Sequence, residues 1–391
     1  VFHEAGAYYI QEPSAMIVTE LLDPQPGERV LDLCAAPGGK STQIIGRMQN
    51  KGLLVSNEIH PVRVKALSQN LERMGSTCAL VVNEKPERLS ERFEGFFDRI
   101  LVDAPCSGEG MFRKEEEAVR EWSPEAVGLC AVRQKEILEE AAKMLTEGGV
   151  LVYSTCTFSR EEDEDVIEEF LQKHKEFTID LKEIPSDWKA GGVVEGFSKG
   201  TVRMWPHHCK GEGHFAVRMI KGENAMPYHH DPVPGIAQKN VISAVKSFLE
   251  FGKTFFENEK QRGFENIPAG RYDLFGNMLY LLPEDCPDLK GIKVVMAGLC
   301  LGEVKKDRFE PDHALSMSLR KDDVRITIET AEMVSNPKAA EGYLRGETLS
   351  CDGDQKGWGI AVYHDLPLGF VKVSGGTAKN HYPKGLRKDL I

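Results

Sequence analysis

The feature that most constrains this chain is the alternation, over its first half, of short near-continuous apolar runs with stretches of helical spacing. Arg29 to Ala35 (RVLDLCA) is an apolar run that meets Pro37-Gly38-Gly39, and helical spacing follows through Ile44, Ile45 and Met48. Leu53 to Glu58 reads as a second strand, and Pro61 opens a helix that ends at Gly75. Leu80 to Val82 and Arg99 to Val102 read as the third and fourth strands. Gln134 to Leu145 is a helix with Gly148-Gly149 after it, and Val150 to Thr155 is a fifth strand. Ser159, with Glu162 three residues on, predicts a capping box for the next helix. Apolar strands alternating with helices specify a parallel, doubly wound α/β sheet covered on both faces. Thr201 to Trp205 and His214 to Ile220, joined by a turn, add an antiparallel hairpin at one edge.

A chain of 391 residues exceeds one ordinary core, so more than one domain is expected. The first unit is residues 1–221, followed by a Pro- and Gly-rich linker at 222–236 and a smaller α+β module at 237–391. That module opens with a helix from Val241 to Phe251 and shows short strands at Val294 to Met296, Val324 to Ile328 and Gly359 to Val362. No apolar run has the length of a membrane span and no leader pattern is present, so neither membrane nor secretion is expected. The chain opens on Val1 rather than Met, which leaves an upstream segment to be expected. Nine cysteines, an odd number without any C-x-x-C, predict reduced thiols in a cytoplasm.

The net charge of −12 by itself argues against a nucleic-acid partner. The acids are grouped, however: Glu115 to Glu117 and Glu161 to Asp165 form two blocks assigned to the outer surface. The tail from Lys372 to Lys388 is the reverse, with Lys372, Lys379, Lys384, Arg387 and Lys388 interleaved with His381 and Tyr382. Such a local basic patch permits docking of RNA phosphates.

In an open parallel sheet, ligands sit beyond the carboxyl ends of the strands. The first end reads Asp32-Leu-Cys-Ala-Ala-Pro-Gly-Gly-Lys40-Ser41, where glycines admit a close ligand and a helix N-terminus favours a carboxylate or phosphate. Neither a G-x-G-x-x-G spacing nor a Walker-type phosphate loop is present. Glu58 ends the second strand, where an acid accepts from both hydroxyls of a ribose. A methionine-containing nucleoside with a carboxylate tail fits this pair better than a pyrophosphate, although a purely structural strand–turn–helix is an equal reading of these residues alone. Asn83-Glu84-Lys85, at the third strand end, is the place for an adenine contact but offers no Asp.

The fourth strand ends in Asp103-Ala-Pro-Cys106-Ser107-Gly-Glu-Gly and the fifth in Ser154-Thr155-Cys156-Thr157. Neighbouring ends of this kind converge on one cleft and bring together two thiols and one carboxylate. Carbon 5 of cytosine is too weak a nucleophile for direct methylation, and a thiolate adding to carbon 6 turns the ring into an enamine. A base then removes the carbon 5 proton so that the thiol leaves, and a carboxyl beside the ring hydrogen-bonds N3. The helix beginning near Ser159 is one expected source of help for thiol ionisation. Cys34, Cys78, Cys130, Cys286, Cys300 and Cys351 read instead as small hydrophobes. His207, His208, Cys209 and His214 fit no zinc spacing, so a loop between strands and no metal is the expectation. The acidic run from Glu161 reads as a solvated helix N-terminus, and Trp358 and Phe370 read as core.

The three strand-end motifs, with Tyr8-Tyr-Ile-Gln-Glu-Pro-Ser-Ala-Met16, Arg203-Met-Trp-Pro-His207 and Gly211-Glu-Gly-His-Phe215, resemble the NOL1/NOP2/Sun family of RNA 5-methylcytosine methyltransferases. The match runs from Tyr8 to about Ile220 and points to the bacterial branch acting on small-subunit ribosomal RNA. The resemblance implies a Rossmann-like methyltransferase sheet with S-adenosylmethionine as cofactor. It implies Cys156 as nucleophile, Cys106 assisting proton removal or product release, Asp103 on the cytosine and Lys40 in the active site. Cys34, Ala35, Ala36, Pro37, Gly38, Gly39, Lys40, Glu58, Arg63 and Asp103 would bind the cofactor. Gly369-Phe-Val-Lys and Lys379 to Arg387 are similar to the PUA-like RNA-binding module that ends this branch. Its partner would be 16S ribosomal RNA, naked or in an assembled subunit, with transfer RNA as the alternative. A DNA cytosine methylase would rely on the Pro-Cys thiol without a Thr-Cys partner, and an exocyclic amine methylase would replace Asp103-Ala-Pro-Cys by an Asn/Asp-Pro-Pro-aromatic run. A non-enzymatic RNA-binding protein would not need Lys40, Glu58, Asp103, Cys106 and Cys156 intact.

Overall fold

The five apolar runs become adjacent strands β1 (Arg29–Asp32), β2 (Leu53–Asn57), β3 (Ala79–Val82), β4 (Phe97–Asp103) and β5 (Leu145–Thr155). They pair in parallel in the order β3-β2-β1-β4-β5. The structure, a computed structural model, describes residues 1–181, 186–222, 239–257, 264, 271–306 and 308–387. Alternate strand residues feed two apolar layers, which is why the runs are continuous rather than alternating. Leu31, Val55, Ile100 and Val102 face one layer. Val30, Leu54, Leu101 and Val152 face the other. The second layer is closed by α1 (Met16–Leu22), α2 (Gly39–Met48) and α3 (Arg63–Arg73). The first is closed by α4 (Pro86–Ser90), α6 (Pro124–Met144) and α7 (Glu164–Lys173), while α5 (Glu116–Glu121) buries no residue.

Helix α6 starts ten residues before the expected Gln134, because Ser123 caps the Ala126 N–H and Pro124 occupies the first turn. The expected capping box does not form. The Ser159 hydroxyl donates to the Glu161 carboxylate at 2.7 Å, and α7 begins only at Glu164. The middle of the acidic run is not solvated either: Glu162, Asp163 and Glu164 are fully buried, while Glu161 is exposed as expected.

After the short strands β6 (Phe177–Ile179) and β7 (Val193–Glu195), the hairpin forms as β8 (Thr201–Met204) and β9 (His214–Lys221), and β9 runs antiparallel to β5. Strand β9 therefore begins at the carboxyl end of β5 and delivers His214 there. The strand expected at Val294 also forms, but Val294–Ala297 pairs antiparallel with β3 on the edge of the large sheet rather than within the smaller module. The rest of the C-terminal region holds a four-stranded and a five-stranded sheet. Helix Lys239–Phe255 buries Phe248, Phe251 and Phe255, at helical spacing, in the core of this region. Phe370 is buried as expected, whereas Trp358 is only partly covered, with Lys372 Nζ 5.2 Å from its ring centroid. Lys372, Lys379, His381 and Lys384 are exposed, and Tyr382 is buried. Of the proposed linker, all but Gly222 lies outside the described residues, as does Lys388. No helix among the described residues is long and apolar enough to cross a membrane.

Candidate active site

Strands β4 and β5 are in register with Asp103 opposite Ser154, and the Ser154 hydroxyl donates to Asp103 Oδ1 at 2.7 Å. Three residues past Asp103 and two past Ser154, the Cys106 and Cys156 sulfurs lie 3.3 Å apart. Their loops are packed backbone to backbone. The Gly110 N–H donates to Cys156 O at 2.7 Å, and a Cβ at Gly110 would lie 2.6 Å from that same oxygen, so only glycine fits. The Phe158 N–H donates to Glu109 Oε2 at 2.9 Å, tying the two loops a second time.

Asp103 also receives the Lys40 ammonium, whose Nζ lies 2.8 Å from Oδ2. His214 Nε2 lies 3.4 Å from Oδ1. Burial would raise the Asp103 carboxyl, but Lys40 and His214 outweigh it and hold the group well below the usual carboxylate range. Asp103 is thus ionised. In the sequence His214 reads as the start of a strand and as part of the family-like Gly211-Glu-Gly-His-Phe215 run, with no role assigned in the cleft. Its placement depends on β9 pairing antiparallel with β5, which local spacing does not reveal. The Cys106 thiol is pushed well up by its hydrogen bond to Cys156 and by burial, with the Cys156 and Glu162 charges adding to both. Lys40 is a cation serving this corner: burial would lower its ammonium, but Asp103 outweighs burial and raises it. The expected helix N-terminus near Ser159 is absent.

A cleft of about 720 Å³ runs from the thiols toward the end of β2, in the range of small-molecule sites. Cys34, Ala36, Glu58, Arg63, Asp103, Cys106 and Cys156 line it, and so does Cys130, expected to be a small hydrophobe. Ala35, Pro37, Gly38 and Gly39 do not line it, and Lys40 joins it through Asp103. Glu58 accepts from the His60 N–H at 2.8 Å, and Arg63 lies 3.5 Å from its other oxygen while donating to Ala36 O at 2.7 Å. Gly38 has φ of +114°, and a Cβ there would press on Leu67. Asp32 is behind the lining: Ser41 donates to it at 2.7 Å, and burial pushes its carboxyl up to about 7.

At the third strand end, Asn83 and Glu84 are engaged by neighbouring backbone. Asn83 donates to Glu58 O and Ile59 O at 2.7 and 2.9 Å, and Glu84 accepts from the Lys293 N–H at 2.8 Å. Lys85, Pro86 and Glu87, at the start of α4, line the cleft instead. A buried carboxylate at the β2 end, a glycine turn before α2 and a cleft of this size suit an adenosyl group.

Behind the thiol loops lies a buried ionic cluster. Arg203 on β8 is 2 % exposed and donates to Glu164 through Nε at 2.9 Å and Nη2 at 2.5 Å, with Asp163 Oδ2 2.8 Å away. Thr155 donates to Asp163 Oδ1 at 2.6 Å. Asp163 and Glu164, expected on the surface, therefore anchor the end of β5, whereas Glu115 to Glu117 are exposed as expected. Among the described residues, no group of three or more His, Cys, Asp or Glu side chains is arranged to hold a metal ion.

Three family models match in succession: 16S rRNA methyltransferase RsmB/F over residues 19–220, the RsmF rRNA methyltransferase first C-terminal domain over 254–319, and the methyltransferase RsmF PUA domain over 335–388. Ribosomal RNA small subunit methyltransferase F of Klebsiella pneumoniae is 30 % identical, with 99 % of this chain and 79 % of that one aligned. The protein of the same name from Shewanella oneidensis is 32 % identical over 100 % of this chain and 81 % of its own length. The crystal structure of NSun6 from Pyrococcus horikoshii with SFG superposes with a TM-score of 0.50 at 27 % identity, covering 57 % of this chain and 55 % of that one. With the methyltransferase model spanning the sheet that carries both thiols, and relatives aligned along the whole chain, this protein belongs to the RsmB/F family of 16S rRNA methyltransferases.

Proposed function

We propose that this RNA methyltransferase methylates carbon 5 of cytosine in 16S ribosomal RNA through a covalent adduct on Cys156. The observation that carries the reading is the juxtaposition of two thiols 3.3 Å apart beside an ionised carboxylate at one end of a nucleoside-sized cleft. Methylation of a base nitrogen or a ribose hydroxyl has no use for that pair. S-adenosylmethionine, when bound, supplies an electrophilic methyl on a sulfonium. Glu58 is suited to accept from its ribose hydroxyls, with Arg63, Cys34 and Ala36 beside it.

Cys156 as thiolate adds to carbon 6, forming a carbon–sulfur bond and making carbon 5 nucleophilic. An ionised Asp103 has no proton to give N3, so its role is to accept from the exocyclic amino group. Its partner Lys40 offsets the negative charge the ring takes up on addition, and His214 keeps Asp103 oriented. Once Cys156 is tied up in the adduct, its charge and hydrogen bond no longer hold the Cys106 proton; that proton passes to solvent, and the Cys106 thiolate takes the carbon 5 proton after methylation. The electron pair of that C–H bond restores the carbon 5–carbon 6 double bond, and the carbon–sulfur bond breaks with its pair on Cys156. The exposed Lys372, Lys379 and Lys384 of the PUA region supply charge for RNA phosphates.

Bisulfite sequencing of small-subunit RNA, naked and as assembled subunits, after incubation with enzyme and S-adenosylmethionine tests this reading. Protected cytosines that vanish with Cys156→Ala are the expected result. Methyl incorporation without any protected cytosine would overturn it.

A further inference from the structure

Glu162 is fully buried and does not line the cleft, yet it grips the chain beside Cys106. Its Oε2 accepts from the Ser107 N–H at 3.0 Å and from Gln134 Nε2 at 2.8 Å, and its Oε1 accepts from the Ser107 hydroxyl. The same Gln134 amide donates to Pro105 O at 3.0 Å, so the residues on either side of Cys106 are both held. Ser107 Oγ is also 3.0 Å from Thr157 Oγ1, next to Cys156. Glu162 is itself fixed from below, where the Tyr153 hydroxyl donates to its carbonyl at 2.6 Å. Three donors converge on this carboxylate, two N–H groups on Oε2 and the Ser107 hydroxyl on Oε1. A glutamine would turn its NH₂ toward the Ser107 hydroxyl, reversing that bond, and would remove the charge that strengthens the other two.

We infer that Glu162 is a positioning residue that fixes Cys106 against Cys156 for the release half of the reaction. The inference rests on the thiol roles proposed above. Addition and methyl transfer need Cys156, whereas removal of the carbon 5 proton needs Cys106 at the right place, and small misplacements of such a group are costly. Loosening the grip on Pro105 and Ser107 should therefore slow release more than methyl transfer. The burial that pushes the Glu162 carboxyl up, and its charge acting on Cys106, agree with the contact geometry.

The test compares wild type, Cys106→Ala, Cys156→Ala, Glu162→Gln and Ser107→Ala, each with small-subunit RNA and S-adenosylmethionine. Covalent protein–RNA adduct is read on denaturing gels, and methyl transfer is read in a single turnover. Glu162→Gln should raise the adduct about tenfold over wild type while single-turnover methylation stays within about threefold, the scale of one lost charge-assisted hydrogen bond. Ser107→Ala, which keeps its N–H on Glu162, should give a smaller rise. Adduct in Cys106→Ala with none above wild type in Glu162→Gln or Ser107→Ala overturns the positioning role and leaves the thiol roles standing. If Glu162→Gln fails to fold, losing its thermal transition and methylation together, Ser107→Ala decides: extra adduct supports the inference and wild-type adduct overturns it. No adduct in Cys106→Ala, with activity surviving in Cys156→Ala, overturns the thiol roles and this inference together.

Discussion

Across one cleft, Glu58 meets Arg63 at 3.5 Å with the arginine side chain 57 % exposed, while Asp103 is locked between Lys40, Ser154 and His214 at 2.8, 2.7 and 3.4 Å. The first wall, at the ends of β1 and β2, is held by single side-chain bonds to loop carbonyls, from Arg63 to Ala36 and from Asn83 to Glu58, and by one half-open ion pair. The second, at the ends of β4 and β5, stands on a buried lattice that runs from Asp103 through the thiol loops to Glu162, Asp163, Glu164 and Arg203. The difference follows from what each wall must do. A wall that binds and releases a diffusible ligand tolerates movement, whereas reacting atoms need placement to fractions of an ångström.

The contrast is broken most severely at Arg203. Arg203→Met leaves Asp163 and Glu164 buried without their cation and should destabilise the protein by about 3–5 kcal/mol, read as a lower denaturant midpoint. A variant as stable as wild type would mean that the second wall does not rest on this cluster. Next in size is Asp103→Asn, expected to lower kcat by about 10²- to 10³-fold with little change in the KM for S-adenosylmethionine. An effect confined to KM would move Asp103 to the binding wall. The smallest effect belongs to the open wall, where Glu58→Gln should raise that KM about tenfold and leave kcat within a few-fold. A large fall in kcat would erase the distinction between the walls.

Sequence and structure part company along the same line. Glu58, Asp103, Cys106 and Cys156 are legible because each sits at or just past the end of an apolar strand, and parallel topology carries such ends to one edge; Cys34 reads as a small hydrophobe and enters only through the family resemblance. His214 is not legible in this way, since it belongs to an antiparallel strand whose partner is distant in sequence. Glu162 to Glu164 read as a solvated run because their burial depends on Arg203 and on Ser107, far away on either side. The Val294 strand was visible as a strand, but its partner β3 lies in the other region of the chain, and pairing across regions leaves no local mark. Local patterns thus yielded the parallel sheet and its strand-end chemistry, while the supports beneath that chemistry depend on long-range contacts.

The central claim is that the two neighbouring thiols divide one reaction between them. Mass spectrometry of the protease- and nuclease-digested adduct formed by Cys106→Ala with small-subunit RNA and S-adenosylmethionine tests it most directly. A methylated cytidine remnant attached to the peptide containing Cys156, and absent from the Cys106→Ala/Cys156→Ala double variant, is the predicted result. A remnant on any other residue, or an adduct that persists in the double variant, would contradict the account.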